Sequence, residues 1–193
     1  EVCTHIHLPA QSGSSRVLKA MRRTYDRQRY LDLVGRIREG VPDIALTTDL
    51  IVGFPGESEA DFADTEALVR EVGYDGAYTF VYSARPGTEA GEQMDDDVPP
   101  EAKSERIARL IEVVQVTARE RLARHVGRVV DVLVEGPSRT DPSRMSGRSS
   151  HNVTVNFDGA AEPGTIVPVV IDSATSTTLA GHRAAVPQPA GAA

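Results

Sequence analysis

The chain has little of what staples small secreted folds or anchors proteins in membranes. It carries a single cysteine, Cys3, so no internal disulfide framework exists and no compartment can be read from pairing. No apolar run approaches the ~18 residues of a membrane span, and no signal-peptide pattern is visible. With nothing to indicate export, the cytoplasm is the expected location. Tryptophan is absent and aromatic residues make up only 5% of the 193 residues. Positive charge is also scarce. Lys and Arg number 21 against 28 Asp and Glu, a formal net charge of −7. That argues against a broad nucleic-acid-binding surface while leaving local basic patches open. An initiator methionine is missing as well, which leads us to expect that the front of a longer protein precedes Glu1.

What is present is ordinary globular material, 40% hydrophobic and 25% charged, enough for one or two domains with a real core. Two stretches stand out, HIHLPAQSGS (5–14) and TTDLIVGFPGES (47–58). Each is an apolar run that breaks into Gly, Pro and Ser and then enters a helical pattern. This is the grammar of successive β-α units in a parallel sheet, whose ligands bind at the C-terminal strand ends. The patterning predicts strands over Cys3–Pro9, Ile44–Phe54 and Tyr74–Ser83. Helices are predicted after Ser14 or Ser15, around Tyr30–Ile37, after Ser58 with Glu59 and Asp61 in its first turn, and over Pro100–His125. An acidic loop fills 84–100. At Val126 the composition changes to short β runs punctuated by Gly, the signature of a small antiparallel barrel. The expected division is residues 1–125, 126–184 and a disordered Ala/Pro/Gly-rich tail, 185–193. Three β-α units do not close a (β/α) barrel, a second pointer to a missing upstream part.

Charge is segregated along the chain. Arg16–Glu39 holds eight basic and three acidic residues, and Glu57–Asp75 seven acidic residues and Arg70 alone. The plain account is solvated helix faces; the sharper one places the basic segment near a phosphate or a carboxylate.

Several residues are candidates for chemistry. Gln11 and Ser12 stand at a strand end, where they suit either hydrogen bonds to a ribose or carboxylate, or an ordinary turn with an N-cap. Gly53 and Phe54 lie in a turn that leaves room for a flat group such as adenine, or that simply packs tightly. Asp49 interrupts an apolar strand, so it is partnered or points into a lumen. His5 and His7 share a strand face, but no further ligand set accompanies them, and no metal site is assigned. Arg23, in an Arg-Arg pair, suits a carboxylate or phosphate as well as solvent. Arg85 opens an RPGT turn that reads as an exposed loop or a substrate-facing one. Cys3 reads as a structural thiol. In the β region Arg139, Arg144, Arg148 and Asn152 fall in a Ser/Pro/Gly-rich flexible loop, RNA-contacting or solvated.

Taken together, HLPAQSGSSRVLKAMRRTYDRQRYLDLVGRIRE, TTDLIVGFPGESEADFADT, FVYSARPGTEA and GPSRTDPSRMSGR…NVTVNF resemble one family, the radical-SAM methylthiotransferases, and within it the MiaB-type tRNA enzymes. The resemblance runs from about residue 2 to 183 and rests on the order and spacing of several motifs. It implies the C-terminal half of a radical-SAM (β/α) partial TIM barrel followed by a TRAM domain, and an enzyme that methylthiolates carbon-2 of isopentenyl-adenosine beside the tRNA anticodon. It implies S-adenosylmethionine and two 4Fe-4S clusters, whose cysteine ligands have no counterpart here, so the isolated polypeptide is expected to be inactive. It also implies an electron donor and the tRNA anticodon stem-loop as partners, with the protein a monomer.

By the same resemblance Gln11 and Ser12 lie near the cofactor, Arg23 meets its methionine carboxylate, Gly53 and Phe54 lie near its adenine, and Asp49 faces the lumen. Arg144, Arg148 and Asn152 match the stretch expected to touch RNA. One departure is that Val153 follows Asn152 where the family pattern has a basic residue. The alternatives are a RimO-type enzyme acting on a ribosomal-protein aspartate, a relative acting on threonylcarbamoyl-adenosine, and an RNA-binding module without catalysis.

Overall fold

The structure, a computed structural model, describes residues 3–185. The chain divides into two compact units between Arg121 and Leu122, slightly before the change in composition at Val126. The tail expected to be disordered lies almost wholly outside the described residues.

The first unit alternates strand and helix. β1 (His5–His7) is followed by α1 (Ser15–Ala20) and α2 (Arg27–Gly40), β2 (Ala45–Val52) by α3 (Glu59–Val72), and β3 (Gly76–Val81) by α4 (Glu89–Gln93) and α5 (Pro100–Ala123). The strands form one parallel sheet in the order β1-β2-β3. Side chains alternate across β2. Leu46, Leu50 and Val52 are fully buried in a core with Phe62, Leu68, Val69, Tyr74 and Leu110 from the helical layer. Each such side chain contributes roughly 1.5–3 kcal/mol. Thr47, Asp49 and Ile51 alternate with them, only partly buried, and point to the opposite face. On that face Tyr78 is 65% and Phe80 50% exposed.

Helix starts follow their caps. Ser14 accepts from Val17 N–H and Asp26 from Arg29 N–H. Ser58 and Asp61 form a reciprocal capping box, and Gly73 closes α3 in the left-handed region at φ 61°. The loop read as featureless over 84–100 contains the short helix α4.

The second unit is a closed barrel ordered β4-β5-β6-β8-β7, built from β4 (Val129–Pro137), β5 (Met145–Ser149), β6 (Thr154–Asp158), β7 (Ile166–Ala174) and β8 (Thr178–Arg183). Strict alternation on β4 sends Val130, Val132 and Val134 inward against Val155, Phe157, Val169, Ile171 and Leu179. Two expectations need correction. The barrel is not wholly antiparallel, because β6 and β8 pair in parallel. A closed ring of five strands cannot alternate direction throughout, so one parallel ladder is obligatory. The basic stretch read as a flexible loop contains β5, whose MSGRS lacks β-branched residues. It is strand because ladders to β4 and β6 satisfy its backbone on both sides. Gly147 permits this, since a Cβ there would lie 2.2 Å from the Leu133 carbonyl oxygen.

Candidate functional site: a cavity at the strand ends

The C-terminal ends of β2 and β3, with Gln11 and α1, frame a cavity of about 970 Å³. Gln11 enters it from an unusual backbone. Its φ is 70°, a region that costs a non-glycine residue about 1–2 kcal/mol. Two strand-like bonds hold it there. Gln11 N–H donates to the Asp49 carbonyl (2.8 Å) and its own carbonyl accepts from Ile51 N–H (2.9 Å). The residue is 8% exposed, lines the cavity, and its side chain has no hydrogen-bond partner among the described residues. Strain held in place beside an unpartnered amide makes Gln11 a candidate binding position.

Arg23 also lines the cavity. Its guanidinium is exposed and makes no ion pair or hydrogen bond among the described residues, as is also true of Lys19 and Arg85. Arg22, in contrast, is at φ 60° and is paired with Glu89 (Nε–Oε2 3.0 Å). Asp49 reaches the cavity partly buried, with His7 Nε2 3.4 Å from Oδ1. His5 Nε2 and His7 Nδ1 lie 2.9 Å and 3.0 Å from Thr47 Oγ1, so the histidine face is a hydrogen-bonded string. Phe54 is 4% exposed, lines the cavity and packs edge-to-face on Tyr82 at 5.2 Å.

Two candidates do not reach the cavity. Ser12 is 1% exposed, accepts from Ser14 N–H (3.1 Å) and lies 3.3 Å from Thr65 Oγ1, so it builds the turn. Gly53, at φ 72°, faces the Lys103 side chain, whose Cγ would lie 2.5 Å from a Cβ. The space expected for adenine at this position is filled by that aliphatic stem. Gly53 is needed for its left-handed backbone, and its N–H donates to Glu57 Oε1 (2.9 Å).

A supporting layer was not legible from sequence. Asp61 accepts from Ser14 Oγ (2.6 Å), Ser58 N–H (2.9 Å) and Arg16 Nε (3.2 Å), and Arg16 also donates to the Gly56 carbonyl (2.5 Å). The Arg16 guanidinium and the two serines hold the Asp61 carboxyl well below the usual carboxylate range. One carboxylate thus ties the QSGS turn to the GFPGE turn. Beside it, the buried Glu57 carboxylate accepts from Arg106 (2.9 Å). Burial pushes Glu57 up, against the pull of Gly53 N–H and Arg106. The segregated charge resolves in part into pairs between segments, Arg16 with Asp61 and Arg27 with Glu71. The only sequence signal was that complementarity, since Lys103 and Arg106 look like any solvated helix face until α5 is placed.

In the barrel the candidates separate. Arg139 is exposed and unpaired among the described residues. Arg144 is committed internally, to Asp158 (2.9 Å) and the Gly181 carbonyl (3.0 Å), which clamps β5 to β6 and β8. Arg148 donates to the Asn152 carbonyl (3.2 Å) and lies 3.7 Å from Glu135. Asn152, at φ 59°, turns the chain between β5 and β6.

Family models for the radical SAM superfamily and the TRAM domain match residues 1–69 and 123–183, which places Gln11, Arg23, Asp49 and Phe54 in the first and every barrel candidate in the second, with Arg85 between the two matches. The tRNA-2-methylthio-N(6)-dimethylallyladenosine synthase of Clostridium tetani is 48% identical over 184 residues, 95% of this chain and 40% of the relative. Over nearly its whole length the chain is similar to MiaB-type radical-SAM enzymes. The enzyme of the same name from Acetivibrio thermocellus is 48% identical over 182 residues, 94% of this chain and 38% of its own length. The chain spans about 40% of the length of the curated relatives it matches. A solved structure, coproporphyrinogen III oxidase (HemN) of Escherichia coli, described as a radical SAM enzyme, aligns with a TM-score of 0.50 at 22% identity. It covers 59% of this chain and 27% of that one, a likeness of fold alone. No helix among the described residues is long and apolar enough to cross a membrane.

Proposed function

We propose that the chain is the cofactor- and RNA-facing part of a tRNA methylthiotransferase acting at carbon-2 of isopentenyl-adenosine next to the anticodon. The observation that carries this reading is the largely buried residue Gln11, whose amide has no partner among the described residues and faces a cavity of about 970 Å³, in a chain whose relatives bear that enzyme's name. S-adenosylmethionine fits the donor set. The Gln11 amide offers hydrogen bonds to ribose hydroxyls, Arg23 a charge-assisted bond to the methionine carboxylate, and Phe54 with Ile51 an apolar wall for the adenine. Asp49, oriented by His7, accepts from a hydroxyl or ammonium group at the floor. Bound there, S-adenosylmethionine supplies hydrogen-atom abstraction and a methyl group, and the walls orient it and exclude water.

Iron–sulfur clusters do not fit this chain's own residues. It has one cysteine, exposed at Cys3, and no group of three metal-ligating side chains among the described residues. In this reading the whole protein holds two 4Fe-4S clusters on ligands outside the described residues, draws electrons from a separate donor and works in the cytoplasm as a monomer. In the barrel, Arg139 and Arg148 are the RNA contacts we favour, and Arg144 acts through the fold.

The test is deletion of the encoding gene in its host, followed by mass spectrometry of tRNA nucleosides and ribosomal proteins. Loss of methylthio-isopentenyl-adenosine with accumulation of isopentenyl-adenosine is expected. Unchanged nucleosides with a ribosomal protein lighter by one methylthio group would replace this reading with the RimO-type alternative.

A further inference from the structure

The cavity has two chemically distinct walls, and the proposed cofactor uses only one. Gln11, Arg23 and Phe54 come from the β1 end, α1 and the β2 turn. The other wall comes from β3 and the turn after it, and it presents Phe80 and Arg85.

Phe80 is the exception among the four phenylalanines. Phe54, Phe62 and Phe157 are 4%, 0% and 0% exposed, whereas Phe80 is 50% exposed. It pairs in register with Ile51, also in the cavity wall, and no aromatic ring packs on it among the described residues. Tyr78, two residues before it on the same face, is 65% exposed. In a chain with so few aromatic residues, the open Phe80 ring on the cavity wall offers a stacking surface, and Tyr78 beside it, outside the cavity lining, meets the His7 ring edge-on at 6.0 Å.

Arg85 is held ready to act beside that surface. The Thr88 hydroxyl donates to the Arg85 carbonyl (2.7 Å) and accepts from Gly91 N–H (3.1 Å). Gly87, at φ 78°, donates to Glu92 (2.9 Å). Gly91 must lack a side chain, since a Cβ would lie 2.3 Å from the Arg85 carbonyl oxygen. The RPGT turn is therefore braced at Gly87 and Thr88, while the Arg85 guanidinium itself stays unpaired among the described residues. The acidic groups of the cavity are already engaged, Glu89 by Arg22 and Asp49 by His7. The charge left unanswered there is positive.

An open aromatic face beside a fixed, unpaired guanidinium complements one nucleotide, a base to stack and a phosphate to hold. We infer that the β3 wall is the nucleotide subsite of the cavity, with Phe80 stacking the target base of a single-stranded RNA loop and Arg85 holding a phosphate beside it. The inference rests on the proposed function and assigns its substrate contacts. An acidic peptide would answer Arg85 but would leave the exposed rings unexplained.

The experiment uses this chain and a fluorescently labelled anticodon stem-loop carrying isopentenyl-adenosine, with an abasic version at that nucleotide, titrated by polarisation at several salt concentrations. Phe80→Leu is expected to bind the RNA roughly tenfold more weakly and to lose nothing further on the abasic loop, while Phe80→Tyr retains binding. Arg85→Ala is expected to weaken all loops alike and to lower the salt slope by about 0.7. Unfolding midpoints equal to the unsubstituted chain guard against misfolding, since both side chains are open to solvent. Failure of the unsubstituted chain to bind the RNA, equal binding by all variants, or preference for an aspartate-bearing peptide overturns the subsite. The nucleoside analysis of the deletion strain is a separate readout, so the enzyme assignment survives or fails independently.

Discussion

The two units use arginine differently. In the α/β unit the cations near the strand ends divide into two sets. Arg16, Arg22 and Arg106 are bound to Asp61, Glu89 and Glu57, while Arg23 and Arg85 line the cavity unpaired among the described residues. The barrel offers no comparable cavity among the described residues. Its six arginines are matched by six acidic residues over 123–183, and Arg144, expected from sequence to meet RNA, holds three strands together instead. A domain with no net charge attracts a polyanion only through a few local contacts. Under the proposed function, discrimination among RNAs falls to the cavity and its unpaired groups.

The sharpest way to break the paired set is to strand a buried charge. Arg106→Met leaves the Glu57 carboxylate unanswered and is expected to cost about 3–5 kcal/mol in urea unfolding at neutral pH. The loss should shrink as pH falls, because burial already raises Glu57 and protonation removes the uncompensated charge.

Asp61 comes next. Asp61→Ala is expected to cost about 2–4 kcal/mol, from a lost cap and an orphaned Arg16. Its carboxyl is depressed in the folded state, so the folded chain binds fewer protons than the unfolded one. The stabilisation is full above the ordinary carboxylate range and is lost as pH falls below about 4. Unfolding midpoints measured across pH should show this acid limb in the unsubstituted chain and a flatter one in Asp61→Asn.

A third substitution separates stability from binding. Gln11→Gly relieves the left-handed strain, offset in part by the entropy of glycine, and is expected to change stability by less than about 1 kcal/mol. Calorimetry should find S-adenosylmethionine binding weakened about tenfold, as loss of hydrogen bonds from a buried amide entails. Unchanged binding would remove Gln11 from the site. The smallest effects test the barrel. Arg144→Ala is expected to lower stability by about 1–2 kcal/mol. Arg139→Ala should leave stability unchanged and reduce the salt slope of RNA binding by about 0.7. Reversed results would return Arg144 to the RNA surface.

Local chemistry was enough for much of the fold. The Ser14 and Ser58 caps, the apolar period of β2 and the Gly-punctuated β runs were readable because each depends on neighbours a few residues away in sequence. Strand β5 was not, since MSGRS has no strand propensity and becomes a strand only between two ladders. Gly53 was read as room for a ligand because sequence shows a missing side chain without showing that Lys103, on another helix, fills the gap.

By itself, then, the sequence determined the order of β-α units, the change to a β barrel, and the residue types gathered at the strand ends. Only the tertiary structure decided which of them are free. Gln11, Arg23 and Arg85 face the cavity unpaired, while Ser12, Gly53 and Arg144 serve the framework. The reason is physical. Whether a polar group is available to a ligand depends on whether another part of the chain has already satisfied it, and those partners lie tens of residues away.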